Sequence, residues 1–202
     1  MREQLQEAFD YVTIRPSNDC EAVNVPQERL IEFCKYLKDK LAFDLLSDVT
    51  AIDRDKETPR FTMVYHFFSS VKHYYLRVAA DCIDDEKPTA PTLVKLWPAA
   101  NWHEREVYDM FGITFEGHPD MKRILLWEGY PYFPLRKEFP LAGIESDLPG
   151  EDVSKETGAK VIPSPMMGGP FCSKPGHLMS ESEPLGADQS WTEEREKPGN
   201  LN

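Results

Sequence analysis

No two of the chain's four cysteines stand close enough in sequence to suggest a shared metal. Cys20, Cys34, Cys82 and Cys172 are scattered over 202 residues, and no C-x-x-C occurs. Iron–sulfur clusters and structural zinc sites normally use closely spaced thiolates, so neither is expected in this chain. Unpaired, dispersed cysteines suit a reduced compartment. Positive charge is sparse as well. Lys and Arg number 23 against 35 Asp and Glu, a formal net charge of -12. The largest basic groupings are pairs such as Lys122–Arg123 and Arg136–Lys137, which argues against a nucleic-acid binder. No apolar run approaches the roughly 20 residues that cross a bilayer, so membrane association is expected only through a partner. The opening MREQLQEAFDYVTIRPSNDC lacks the apolar core of a secretory signal and the Arg/Ser character of a transit segment. Neither a Walker lysine loop nor G-x-G-x-x-G is present, which removes the usual nucleotide cradles.

What is present divides the chain in two. Residues 1–141 alternate periodic apolar segments with short turns. Residues 142–202 hold 7 prolines and 8 glycines with no sustained period. That second composition cannot offset the entropy of ordering with a core of its own, so an extended C-terminal arm is expected there. In the first part, Pro26 introduces QERLIEFCKYLKDKLAF, where Leu30, Phe33, Cys34, Leu37 and Leu41 recur at helical spacing. Lys35, Lys38 and Lys40 fall late in it, where the helix dipole favours cations. Three strand-like segments follow: DLLSDVTAID, RFTMVYHFFS and HYYLRVAADC, rich in β-branched and aromatic residues. Their short connections predict antiparallel neighbours, and YVTIR with EAVNV predicts an edge hairpin. After the loop DDEKPTAPT, Pro98 and Gly112 bracket a predicted helix over 98–111. The fold expected is α+β, a mostly antiparallel sheet with helices packed on it, followed by the long extended arm.

The stretch NWHEREVYDMFG concentrates chemistry-bearing side chains. On a helix, Ala100, His103, Val107, Met110 and Phe111 share one stripe, and Trp102, Arg105, Glu106 and Asp109 share another. HERE begins like the zinc-protease motif H-E-x-x-H, but Val107 occupies the second histidine's place. The inverted H-x-x-E-H pattern fails at the same residue, and no Glu stands three before any His, as a di-iron carboxylate site would need. A stand-alone hydrolase using Glu104 and Glu106 as an acid–base pair stays open, although no nucleophile or cofactor loop accompanies them. The plainer alternative reads Arg105 and Asp109 as a surface i,i+4 pair and His103 as a core histidine. A third treats the charges as an orienting network at a protein–protein contact. The downstream EGYPYFPLRKEFPLAG, dense in proline and aromatics, fits either a ligand for a partner's groove or a strap over its own domain.

EREVYDMF, six residues, His118, three residues, Lys122, and ILL after Arg123 together resemble the signature of one family. That family is the thirty-kilodalton, C-type subunit of NADH:quinone oxidoreductase (respiratory complex I). PLRKEFPL at 134–141 is similar to its second hallmark, and the resemblance spans about residues 26–143. It implies a non-catalytic, cofactor-free scaffold in a hetero-oligomer's peripheral arm, with catalytic, cofactor-binding and metal residues all absent from this chain. Partners implied are the quinone-site and iron–sulfur subunits, with FMN and the clusters held there. Glu104, Arg105, Glu106, Asp109, His118, Lys122, Arg123, Arg136 and Lys137 match the pattern and are expected to build the fold or a subunit interface. The missing transit peptide favours a location on the cytoplasmic side of a bacterial plasma membrane. The homologous subunit of a membrane-bound hydrogenase or ferredoxin-driven complex shares the signature and is the alternative. After Gly143 the chain departs from the family's E-x-R-Y-D segment, and Phe171 and Trp191 are expected to anchor the arm on partner subunits.

Overall fold

A computed structural model describes residues 2–127, 129–139, 172–174 and 177–178. The chain forms two compact units, Met1–Lys137 and Glu138–Asn202. The first begins with a short helix, α1 (Arg2–Ala8), whose Leu5 is buried. Strands β1 (Thr13–Ile14) and β2 (Glu21–Asn24) then make the predicted edge hairpin. A 3-10 turn over Gln27–Arg29 leads into α2 (Leu30–Leu41). Its apolar stripe behaves as the spacing predicts: Leu30, Phe33, Cys34 and Leu37 are all fully enclosed. The helix stops where Ala42 turns left-handed at φ 56°, and the Phe43 N–H closes the end on the Leu37 carbonyl at 3.0 Å.

Strands β3 (Leu45–Asp53), β4 (Phe61–Ser69) and β5 (Tyr74–Asp81) are antiparallel neighbours, and the sheet order is β1-β2-β5-β4-β3. Period-two alternation sends Phe61, Met63, Tyr65 and Phe67 of β4 and Leu76, Val78 and Ala80 of β5 into one core shared with α2. Burying each large apolar side chain there contributes about 1.5–3 kcal/mol before entropy is counted. The opposite sheet face carries Ile52, Tyr75 and Arg77, which reach solvent in whole or part. The sheet is mixed, because β2 lies parallel to β5 with Val23 against Val78. This follows from the connection: α2, β3 and β4 all intervene, enough chain to return in the same direction.

The predicted helix over 98–111 is α3 (Ala100–Phe111), preceded by a turn at Pro98 and closed by Gly112 at φ 74°. One part of the loop DDEKPTAPT is a strand. Residues Thr89–Pro91 (β6) pair in parallel with Thr114–Glu116 (β7), so α3 is the crossover of a small β-α-β unit. Trp97 locks its start, donating its indole N–H to the Phe43 carbonyl at 3.2 Å, with its ring 4.9 Å from that of Phe67.

In the second unit, Cys172–Lys174 (β8) and His177–Leu178 (β9) pair antiparallel. Most of the arm expected over 142–202, with Phe171 and Trp191, lies outside the described residues.

Candidate functional site

The charged stretch of α3 divides into three different environments. Glu104 faces inward and is completely enclosed. Its carboxyl accepts from the Thr92 hydroxyl at 2.6 Å and the Leu93 N–H at 2.7 Å, pinning the segment between β6 and α3. Burial drives its pKa up to about 7 against the opposing pull of those two donors. His118 stands beside it, with Nε2 4.0 Å from a Glu104 oxygen and 3.4 Å from the Asn101 carbonyl. The Asp120 N–H donates to His118 Nδ1 at 3.1 Å, so Nδ1 carries no proton and Nε2–H is the donor. Burial lowers the imidazole's pKa, in keeping with that neutral form.

Asp109 is the second environment. Helical geometry puts it on the outward stripe with Trp102 and Arg105, yet it is 0% exposed. What covers it is the segment after β7, which doubles back over the last turns of α3. One carboxylate oxygen accepts three consecutive backbone N–H groups, from Ile124, Leu125 and Leu126, at 3.0, 2.7 and 3.0 Å. The other accepts Arg123 Nη1 at 2.6 Å. Arg123 in turn donates to the Asp109, Tyr130 and Tyr132 carbonyls and lies 5.0 Å from the Phe133 ring centroid. Burial alone would raise the Asp109 pKa; the three N–H groups and the guanidinium outweigh it and hold the carboxyl below its ordinary value. The i,i+4 surface pair with Arg105 is therefore not formed. Asp109 belongs to Arg123, fourteen residues away.

The strap continues to Lys137 and is fastened at further points. Arg136 donates to the Phe111 carbonyl at 2.6 Å and lies 4.7 Å from the Phe133 ring centroid and 5.2 Å from that of Phe61. The Leu135 N–H donates to the Met110 carbonyl. At the end, the Lys137 backbone N–H reaches Asp53, which is 4% exposed and held bidentately by Arg60 at 2.8 Å on each oxygen. Burial pushes Asp53 up, but Arg60 and the Lys137 and Asp55 N–H groups bring its pKa down to about 2. For residues as far as Phe133–Lys137, the proline-aromatic run is thus a strap on its own domain. Gly112 makes the close approach possible: a Cβ there would stand 2.7 Å from the Phe133 ring and 2.8 Å from Arg136 Nη2.

The third environment is the bare surface. Trp102 is 61% exposed, Glu106 is exposed, and Arg105 lies 5.1 Å from the Trp102 ring centroid while donating to the Lys122 carbonyl at 3.1 Å. Lys122 holds Asp120 at 2.9 Å in an exposed pair of little energetic weight. His103 is half-buried, 3.6 Å from Asp48, and not in the core. Of the nine signature residues, Glu104, Asp109, Arg123 and Arg136 make buried or part-buried locks, His118 packs beside Glu104, and Lys137 contributes its backbone. Arg105, Glu106 and Lys122 line the surface. Sequence reasoning missed Asp53, Arg60 and Thr92, none of which carries a spacing signal.

This arrangement is poor in reactive geometry. Glu104 and Glu106, two residues apart, point to opposite sides of α3, one enclosed and one in solvent, so they cannot act on one substrate bond. Among the described residues, no group of three or more His, Cys, Asp or Glu side chains is placed to hold a metal ion. No described helix is long and apolar enough to cross a membrane.

Comparison with known proteins gives the chain's relatives. The family described as respiratory-chain NADH dehydrogenase, 30 Kd subunit, matches residues 23–145. A C-type subunit of NADH-quinone oxidoreductase from Rhizobium meliloti is 49% identical over 129 residues, covering 63% of this chain and 70% of the relative. The C/D subunit of NADH-quinone oxidoreductase from a Sulfurihydrogenibium species is 44% identical over 150 residues, 72% of this chain but 26% of that longer one. Among solved structures, a chain of the archaeal membrane-bound sulfane sulfur reductase, a respiratory membrane complex, superposes with a TM-score of 0.61 at 25% identity. That match covers 78% of this chain and 89% of its counterpart.

Proposed function

Because the chain belongs to the family of the 30-kDa subunit of respiratory-chain NADH dehydrogenase, we propose that it is a structural subunit of a proton-translocating NADH:quinone oxidoreductase. The single observation that carries this reading, beyond the family itself, is how the charges are used. The ionisable residues that gave α3 the look of an active site are mostly engaged inside the chain. Glu104 and Asp109 clamp backbone N–H groups, and Arg123 and Arg136 cap carbonyls. A rigid, non-reactive domain is what a scaffold between redox subunits requires.

On this reading the isolated chain has no catalytic activity, and FMN and iron–sulfur clusters sit in partner subunits. The chain packs against the quinone-site and iron–sulfur subunits on the cytoplasmic side of a bacterial plasma membrane. The C/D relative supports a direct neighbour of the D type, since there the matched region is a quarter of one longer chain. The likeness to a chain of the sulfane sulfur reductase, a different respiratory membrane complex, shows that the fold is shared beyond NADH enzymes; the homologous subunit of a membrane-bound hydrogenase or ferredoxin-driven complex is therefore the second reading. Its identity of 25% against 49% favours the NADH enzyme. Affinity purification of the tagged full chain from its native membrane tests both. Co-purifying flavin, iron–sulfur absorbance and NADH–quinone activity are expected. Nickel with hydrogen turnover would overturn the first reading in favour of the second, and a chain recovered alone would sink both.

A further inference from the structure

The strap covers only half of the outward stripe of α3. From Asp109 onward the stripe is sealed by residues 122–127 and 129–136. One and two turns earlier, Trp102 and Glu106 are exposed, and Arg105 is half-buried, donating to the Lys122 and Arg123 carbonyls. Trp102 is 61% exposed, whereas Trp97, in the turn that precedes α3, is 3% exposed and hydrogen-bonded. At the strap's first turn Leu125 is 61% exposed, although its own N–H is fixed on Asp109. Arg105 lies over the Trp102 ring and donates to the Lys122 and Arg123 carbonyls, at the start of the segment that carries Leu125. Trp102 and Asp109 are seven residues apart, about 10 Å along the helix axis. The patch therefore combines an exposed aromatic side chain, a guanidinium positioned over it, and an exposed aliphatic side chain two residues along the segment that guanidinium binds.

We propose that this strip, Trp102–Arg105–Leu125, seats an apolar segment of a neighbouring subunit that presents a carboxylate to Arg105. The proposal rests on the reading of the chain as a structural subunit and says which surface it offers. Three points favour that occupant. Trp and Arg held in fixed geometry, here an exposed Trp102 under a half-buried Arg105, are the residue types that dominate binding energy at protein interfaces. Among the described residues no carboxylate lies within 4.0 Å of Arg105, while the adjacent Lys122 is already matched by Asp120. Asp120 feels the Arg105 charge only from beyond contact distance, so among the described residues the guanidinium has no directly paired carboxylate, and its planar fork suits one. A lipid surface fits less well, because recognition of anionic headgroups takes roughly four to eight clustered basic residues and this chain is strongly acidic. A second copy meeting across a two-fold axis would set Arg105 near its own equivalent.

Hydroxyl-radical footprinting of the full chain, free and within the purified native complex, reads the proposal directly. Trp102 oxidation is expected to fall about tenfold on assembly, with the buried Trp97 low in both states as internal reference. Arg105→Glu is expected to lower the share of chain retained in the complex on a salt wash, and Arg105→Lys to restore part of it. If the chain is retained in the complex but Trp102 stays as reactive as in the free chain, this surface is wrong and the structural-subunit reading stands. If the chain is absent from the complex, both fall. A photo-crosslinking benzoylphenylalanine in place of Trp102 identifies the occupant. A different subunit of the complex, cross-linked through a peptide containing Asp or Glu, supports the proposal; a second copy or a lipid overturns it.

Discussion

Replacing Asp109 by Asn changes one atom's chemistry and leaves the volume nearly unchanged. The native carboxylate accepts three backbone N–H groups on one oxygen and Arg123 on the other. An amide has one oxygen. Turned toward the N–H groups, it leaves its NH2 facing the guanidinium; turned toward Arg123, it leaves NH2 facing three donors. Either way a buried cation loses its counter-charge, since the Arg123 side chain is only 11% exposed and that of Asp109 is 0%. Removing one partner of a buried ion pair costs about 3–5 kcal/mol, which corresponds to a fall of roughly 10–20 °C in Tm for a unit of this size. Urea unfolding of the full chain at pH 7, followed by tryptophan fluorescence, measures it as a lower midpoint. The pH dependence supplies an independent check. The folded pKa of Asp109 lies below its unfolded value, so its contribution is present above the unfolded pKa near 4 and is lost as pH falls through the folded pKa. The gap between wild type and Asp109→Asn is therefore expected to narrow on acidification below about pH 4. A loss under about 1 kcal/mol at pH 7, or a gap that persists unchanged to the acid limit, would refute the clamp as described.

Glu104 should behave in the opposite sense. Its folded pKa of about 7 lies above the ordinary carboxyl value, so its contribution is complete at low pH and is lost as pH rises through 7, a total of about 3 kcal/mol. Between pH 6.5 and 8.5 the share of that decline due to Glu104 is about 1 kcal/mol, read as the difference in slope between wild type and Glu104→Gln, which cancels the opposing rise from His118, whose folded pKa is lowered. Glu104→Gln should flatten that decline in thermal melts, and an unchanged slope would mean the carboxyl is not the titrating group. Gly112→Ala should cost about 2–4 kcal/mol, combining a left-handed backbone with the 2.7 Å clash against Phe133. Phe133→Ala is expected to recover the steric part of that loss in the double variant, as a double-mutant cycle would report.

Much of the fold is legible in the chain's periodicity, because local geometry carries it. The β-branched and aromatic content of RFTMVYHFFS and HYYLRVAADC marks two strands, and three- and four-residue spacing after Pro26 dictates α2. Pro98 and Gly112 delimit α3 within two residues. The site was legible in a narrower sense. Val107 in place of a second histidine argued against the zinc reading, and the gaps to His118 and Lys122 carried the family resemblance.

Which charges are buried was decided only by tertiary structure. Helical phase correctly puts Asp109 on the outward stripe with Trp102 and Arg105, and on that ground alone it would be a solvated surface group. It is enclosed because residues 122–127 return across α3 and offer it Arg123 and three N–H groups, fourteen to seventeen residues distant in sequence. The parallel pairing of β6 with β7 likewise depends on the crossover through α3 and leaves no local period. Sequence by itself determined the three long strands β3, β4 and β5 and the helices α2 and α3, since each is written in neighbouring residues. The division of one charged helix into an inner carboxyl, a strapped end and an open face depends on non-local hydrogen bonds, whose partners the pattern along the chain does not name.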